Sequence, residues 1–256
     1  MIRINPPQKQ VDFSIYSPSQ TNSPTPINLG FVFCEDVENL SIRNTYLERN
    51  IHETQFNYGL DSINVRALEL EINYIIRTKE EKIPIPQYLV KMATSQDLNG
   101  NYLYPEIMKI KQAVLCKIAT VDAVVLPGGT SIHPQFFGEF INSNENADYY
   151  EKDSRRSLME FFLINECDKK GIPLLCVCRG HQSLNIYYGG HIDRSSTGES
   201  QQHTLRNLNT ALKTSSFMGP FPKKAYFHHR QTVTCQGEGL EKIGKILAVK
   251  DLEKEH

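Results

Sequence analysis

The stretch GIPLLCVCRGHQSLNIYYGG, Gly171 to Gly190, constrains the fold more than any other part of the chain. Ile172 to Val177 is an apolar run of strand length entered through Gly-Ile-Pro, which fits an inner strand of a parallel sheet. A sharp turn at Cys178 follows, and a helix starts at once. Gly189-Gly190 ends that helix, because a left-handed C-terminal cap suits a residue without Cβ. Between strand and helix, Cys176-Val177-Cys178-Arg179-Gly180 has the small-x-nucleophile-x-small pattern of a nucleophile elbow, whose small residues permit a strained turn. Such a turn lifts Cys178 to the carboxyl edge of the sheet, where a helix N-terminus favours the thiolate, the nucleophilic form. The plainer alternative is a small, buried, apolar cysteine.

A second stretch supports the chemical reading. Asp122-Ala-Val-Val-Leu-Pro-Gly-Gly-Thr130 reads as a strand that ends in Pro127-Gly128-Gly129. A Gly-Gly loop at the C-terminal end of a strand frees backbone N–H groups to face a crevice, where an oxyanion could sit. Alone, Pro-Gly-Gly is also an ordinary turn.

Together, VLPGGTSIHPQFFGE and CDKKGIPLLCVCRGHQSLNIYYGGHI resemble the class I glutamine amidotransferase superfamily, and within it the gamma-glutamyl-gamma-aminobutyrate hydrolases. Pro134, Phe137-Gly138-Glu139 and Cys178-Arg179-Gly180-His181-Gln182 carry the likeness, which runs from about Val121 to Ile192. The resemblance implies a doubly wound, mostly parallel α/β sheet sandwiched by helices, and a cysteine hydrolase of gamma-glutamyl amides. It implies Cys178 as nucleophile, the amides of Gly129 and Arg179 as oxyanion hole, and Gly128, Glu139 and Gln182 near the glutamyl end of the substrate. A His in the position of His203 lies near the site in the relatives; read on its own, His203 is a solvated loop residue. Ala225-Tyr-Phe-His-His-Arg-Gln-Thr-Val233 resembles the family's Val-Asn-Ser-x-His-His-Gln strand-loop, so His228 and His229 are candidate bases.

The departures from the pattern are specific. Cys176 stands where the family has Gly. Arg156-Ser157-Leu158-Met159-Glu160 lacks the Asp of the family's Arg-Asp-x-x-Glu, and Arg230 separates the His pair from Gln231. No His-Pro-Glu, the segment that completes a Cys-His-Glu triad in the relatives, occurs in these residues. That leaves two alternatives open beside the hydrolase: a catalytically impaired binding or regulatory module, and a glutaminase subunit serving an amidotransferase.

Charge and composition narrow the rest. With 28 Lys+Arg against 29 Asp+Glu, the formal charge of -1 supplies no field for nucleic acid or membrane surfaces. No apolar stretch reaches the length of a membrane span, and the polar start is no signal peptide, so the expectation is a cytoplasmic protein. Six cysteines without paired spacing fit a reducing compartment rather than a disulfide framework. Cys176-x-Cys178 has no nearby Cys/His set to complete a metal site, so no metal or other cofactor is expected. The partners expected are a small gamma-glutamyl substrate and, left open, a second copy or a protein partner.

Along the chain, residues 1–26 read as an irregular leader, and residues 27–256 as one α/β domain without the family's C-terminal segment. Ile27 to Phe33 is the first strand. Val65 to Ile76 fits either period, and the alternation of Leu68, Leu70, Ile72 and Tyr74 favours a strand. Ile83-Pro-Ile-Pro breaks any helix, with a short strand over Gln87 to Met92. Tyr104 to Thr120 is an amphipathic helix with Ile107, Ile110, Val114 and Ile118 on one face. Phe136 to Asp153 reads as a polar flap, capped by Asp153 or Ser154 into a helix that ends near Asp168. His191 to Asn209 reads as a polar loop, and Ile243 to Val249 as a last strand.

Overall fold

The structure, a computed structural model, describes residues 2–3, 27–32, 51–56, 62–138, 147–194, 201–207, 223–227, 231–241 and 244–246. In chain order the strands are β1 (Ile2–Arg3), β2 (Ile27–Val32), β3 (Ile51–Phe56), β4 (Ala123–Leu126), β5 (Leu174–Cys176), β6 (His191–Arg194), β7 (Gln201–Asn207), β8 (Lys223–Phe227), β9 (Gln231–Cys235), β10 (Leu240–Glu241) and β11 (Gly244–Ile246). The helices are α1 (Val65–Thr78), α2 (Ile85–Met92), α3 (Pro105–Ile118), α4 (Ala147–Lys170) and α5 (Arg179–Tyr187).

The centre is a parallel sheet in the order β3-β2-β4-β5, the arrangement of the doubly wound, mostly parallel α/β class. Parallel neighbours need crossovers, and here helices fill them: α1, α2 and α3 lie between β3 and β4, and α4 lies between β4 and β5. Among the described residues, the other strands form three smaller antiparallel groups, β1-β10, β6-β9 and β11-β7-β8. Thus Ile2 and Arg3, inside the stretch read as an irregular leader, pair with Glu241 and Leu240.

The core forms where apolar helix faces meet the sheet. Helix α3 buries the face expected of it, Ile107, Ile110, Val114 and Ile118. Helix α4 is enclosed differently, since from Ser154 to Cys167 every side chain except Arg155 is buried. A helix buried all round is central to its layer. Its Leu158, Phe161 and Phe162 join Val124 and Leu126 of β4 in one cluster, and each such side chain contributes roughly 1.5–3 kcal/mol of burial.

Several expectations are corrected. Val65 to Thr78 is helix, not strand: Leu68, Ile72 and Ile75 are buried, while Leu70 and Tyr74 are 64% and 59% exposed. The alternation at Leu68, Leu70, Ile72 and Tyr74 was therefore accidental, and the helical period governs. Gln87 to Met92 belongs to α2, whose first turn accepts the prolines because their missing N–H groups would have no partner there anyway. Helix α4 begins at Ala147, so Asp153 and Ser154 lie within it rather than capping it. Residues 139–146 of the expected flap lie outside the described residues. The presumed loop from His191 holds β6 and β7, polar strands sustained by ladder bonds to partners rather than by an apolar pattern. Within the expected last strand, Gly244–Ile246 is β11, and Ile243 and residues 247–249 lie outside the described residues.

Candidate active site

The site begins with two strand ends at one level. Leu126 of β4 pairs with Cys176 of β5, and the Val177 N–H donates to the Leu126 carbonyl at 2.9 Å. Parallel strands in that register send the Pro127-Gly128-Gly129 loop and the Cys178 turn out of the same carboxyl edge.

At the turn, Cys178 has φ 50 and ψ -108, and it is the only non-glycine residue with positive φ among the described residues. Such a conformation costs on the order of 1–3 kcal/mol and persists only where the surroundings impose it. Here the Gly180 N–H donates to the Val177 carbonyl at 2.9 Å, and α5 begins immediately. Gly180 packs so closely on β4 that a Cβ there would overlap the Leu126 carbonyl oxygen. The small residue two places after the cysteine therefore lets the helix seat on the strand end. Cys178 is exposed, in contrast to Cys167 in α4, whose thiol burial pushes up to about 12. Burial also raises the pKa of Cys176, the half-buried cysteine that replaces glycine in the elbow. Three residues after Cys178, burial pushes the His181 imidazole down to about 4, so it is neutral near pH ~7.

Beneath the two loops lies a buried ionic cluster. Arg156 of α4 donates through Nη2 to the carbonyls of Gly128 at 2.8 Å and Pro127 at 3.3 Å, and through Nε to Glu160 Oε1 at 2.8 Å. Arg179 donates through Nε to the same oxygen at 3.4 Å, through Nη1 to the Thr130 carbonyl at 2.9 Å, and through Nη2 to Ser157 Oγ at 2.9 Å. Ser183 donates to Glu160 Oε2 at 2.5 Å. Burial alone would push the Glu160 carboxyl up, but Arg179, Arg156 and the Ser183 hydroxyl outweigh it and hold its pKa below the ordinary value. Ser157, in the place of the expected Asp, offers Arg179 a neutral hydroxyl acceptor instead of a carboxylate.

A third anchor comes from β9. The Gln231 side chain pairs with Ile132 like a strand, its Oε1 accepting from the Ile132 N–H at 2.8 Å and its Nε2 donating to the Ile132 carbonyl at 2.9 Å. Gln182 in turn donates to the Gln231 carbonyl at 2.6 Å, tying the elbow helix to the same strand.

The structure thus brings Cys178, Arg179, Gln182, Gly128 and Gly129 to one sheet edge. His203 lies in β7, paired with Ala225, rather than in a loop. Glu139, His228 and His229 lie outside the described residues. The sequence reading missed the roles of Arg156, Glu160, Ser183 and Gln231. The i,i+4 spacing of Arg156 and Glu160 was a usable signal for an ion pair, and Gln231 matches the Gln of the strand-loop likeness, whereas its partner Ile132 carries no signal. No helix among the described residues is long and apolar enough to cross a membrane.

The chain is similar to proteins of known sequence and structure. A protein of Lactococcus lactis named as glutamine amidotransferase-like, YvdE, is 31% identical over 154 residues, 54% of this chain and 63% of its own length. The gamma-glutamyl-gamma-aminobutyrate hydrolase of Escherichia coli is 35% identical over 75 residues, 29% of this chain and 27% of its own length. The chain therefore spans less than two thirds of these relatives. A glutamine amidotransferase structure from Thermotoga maritima aligns over 82% of this chain and 63% of its own, at 15% identity and a TM-score of 0.42. The Peptidase C26 family model matches residues 81–248, from α2 through the elbow to β11, and on that match the chain belongs to the Peptidase C26 family.

Proposed function

We propose that the chain hydrolyses gamma-glutamyl amides through a thioester on Cys178. The Cys178 thiolate attacks the side-chain carbonyl carbon, and the N–H groups of Gly129 and Arg179 receive the developing oxyanion. Collapse breaks the C–N bond, and the amine leaves with a proton from a histidine, for which His228, His229 and His203 are the candidates. Water then cleaves the thioester, returning glutamate, the thiolate and a proton to the histidine. Gln182 and Glu139 serve the glutamyl end of the substrate in this reading.

The observation that carries the proposal is the positive-φ turn that holds an exposed Cys178 at the edge shared with Gly129. Support for the substrate class comes from family membership and from the named activity of the Escherichia coli relative. The test is steady-state release of p-nitroaniline from L-gamma-glutamyl-p-nitroanilide. Turnover should be abolished by Cys178→Ala and reduced roughly 10²–10⁴-fold by loss of the histidine that serves as base. Undiminished turnover in Cys178→Ala would falsify the thioester route.

A further inference from the structure

We infer that Arg156 is a positioning residue for the oxyanion hole, holding the Gly128–Gly129 peptide so that its N–H faces the elbow. This rests on the reading of Gly129 as an oxyanion donor. A trans peptide is planar, and its carbonyl and N–H point in opposite directions. Gly128 O and Gly129 N belong to one such plane. Arg156 grips the Gly128 oxygen at 2.8 Å from the buried side, so the Gly129 N–H is turned toward the exposed side of the loop. The second bond, to Pro127 O at 3.3 Å, fixes the preceding peptide as well.

The grip is sterically specific. Gly129 has φ 149, and a Cβ on it would overlap Arg156 Nη1, so this loop path and this guanidinium require a glycine at 129. The guanidinium is itself held. Arg156 is 2% exposed, and its Nε bonds the Glu160 oxygen that also receives Arg179 Nε. Arg179 supplies the other proposed oxyanion donor from its backbone, while its side chain holds the Thr130 carbonyl in the same loop. One buried carboxylate therefore references both donors to each other. Lysine at 156 would keep the charge but lose the planar fork that spans two carbonyls and a carboxylate.

The experiment separates oxyanion stabilisation from thiolate reactivity. p-Nitrophenyl acetate acylates a thiolate by forming the S–C bond and expelling p-nitrophenolate, an anion that leaves without a proton, through an oxyanionic intermediate. Iodoacetamide alkylates the same sulfur by expelling iodide, and no oxyanion forms. In Arg156→Lys the acylation burst at Cys178 should slow by about 10²-fold while alkylation stays within about twofold of the native rate. Equal loss in both reactions would mean a general collapse of the elbow and overturn the assignment, as would an unchanged acylation rate. If Arg156→Lys does not fold, Arg156→Gln is measured in the same way. Failure of both to fold makes Arg156 a stability residue, and the assignment falls. The substrate proposal fails separately: a native chain acylated by p-nitrophenyl acetate but inert to L-gamma-glutamyl-p-nitroanilide loses the gamma-glutamyl reading and keeps the oxyanion hole. A native chain never acylated at Cys178 loses both.

Discussion

Two carboxylates, Glu160 beneath the elbow, which holds two guanidiniums, and Glu71 on α1, which holds backbone N–H groups, have pKa values shifted in opposite directions. Glu160 is fully enclosed, faces two guanidiniums and a hydroxyl, and has a lowered pKa. Glu71 is only partly buried and accepts from the first N–H groups of α3, Ile107 at 3.2 Å and Glu106 at 3.4 Å. Glu106 answers by accepting the Asn64 N–H at 3.0 Å, so each acid serves the start of the other's helix. Burial raises the Glu71 pKa, the capping N–H groups oppose it, and the Glu106 charge adds to the rise. Burial wins at Glu71 and loses at Glu160. Two buried guanidiniums decide the difference, because at Glu71 the helix N–H dipoles supply only a fraction of a charge and the Lys109 cation contributes least.

The largest effect should come from Glu160→Gln. Removing the carboxylate leaves two buried guanidiniums without their shared anion, and breaking a buried pair costs about 3–5 kcal/mol. Urea unfolding near pH ~7 measures it, and a loss below ~1 kcal/mol would show that the cluster is less coupled than its geometry.

Gly180→Ala comes next, because its methyl group would meet the Leu126 carbonyl and lift α5 from β4. Overpacking of this kind costs about 1–3 kcal/mol. Cys178 alkylation should slow with it, since the turn depends on that seat. An alanine variant with native stability and native labelling would argue that the strand end yields easily.

The smallest effect, within ~1 kcal/mol near pH ~7, belongs to Glu71→Gln, which keeps an acceptor for the α3 N–H groups. Its pH dependence sharpens the comparison. A raised folded pKa means that the Glu71 contribution is present at low pH and is lost as pH rises through the raised value. The Glu160 contribution is present above the unfolded pKa and is lost as pH falls toward its lowered folded value. Unfolding free energies of Glu71→Gln and the native chain should therefore diverge with rising pH through the weakly acidic range. A constant difference across that range would remove Glu71 from the comparison.

What the sequence disclosed follows the range of the interactions. The elbow was legible because small residues on either side of Cys178 and the Gly189 cap are local requirements, readable within one strand and one helix. The face of α3 was legible for the same reason. Helix α1 was not, because Leu70 and Tyr74 are apolar yet exposed, and they completed a false alternation with Leu68 and Ile72. The ionic floor was half visible. Arg156 and Glu160 sit one helical turn apart, but nothing local says that Arg179 reaches the same oxygen. The pairing of Gln231 with Ile132 joins residues 99 apart in sequence, and only the fold creates it.

The loop after β4 is gripped at a series of main-chain atoms, with the Ile132 side chain buried in the core. Pro127, Gly128, Thr130 and Ile132 are gripped at backbone atoms by Arg156, Arg179 and Gln231. Anchors that touch only the main chain specify a path without specifying side chains. Thr130 is exposed and is held through its carbonyl, so saturation mutagenesis at that position can vary the chemistry presented at the rim while leaving the track beneath unaltered. For directed evolution the loop is a mounting rail: the fastenings belong to residues elsewhere in the chain, and the fitting can be changed.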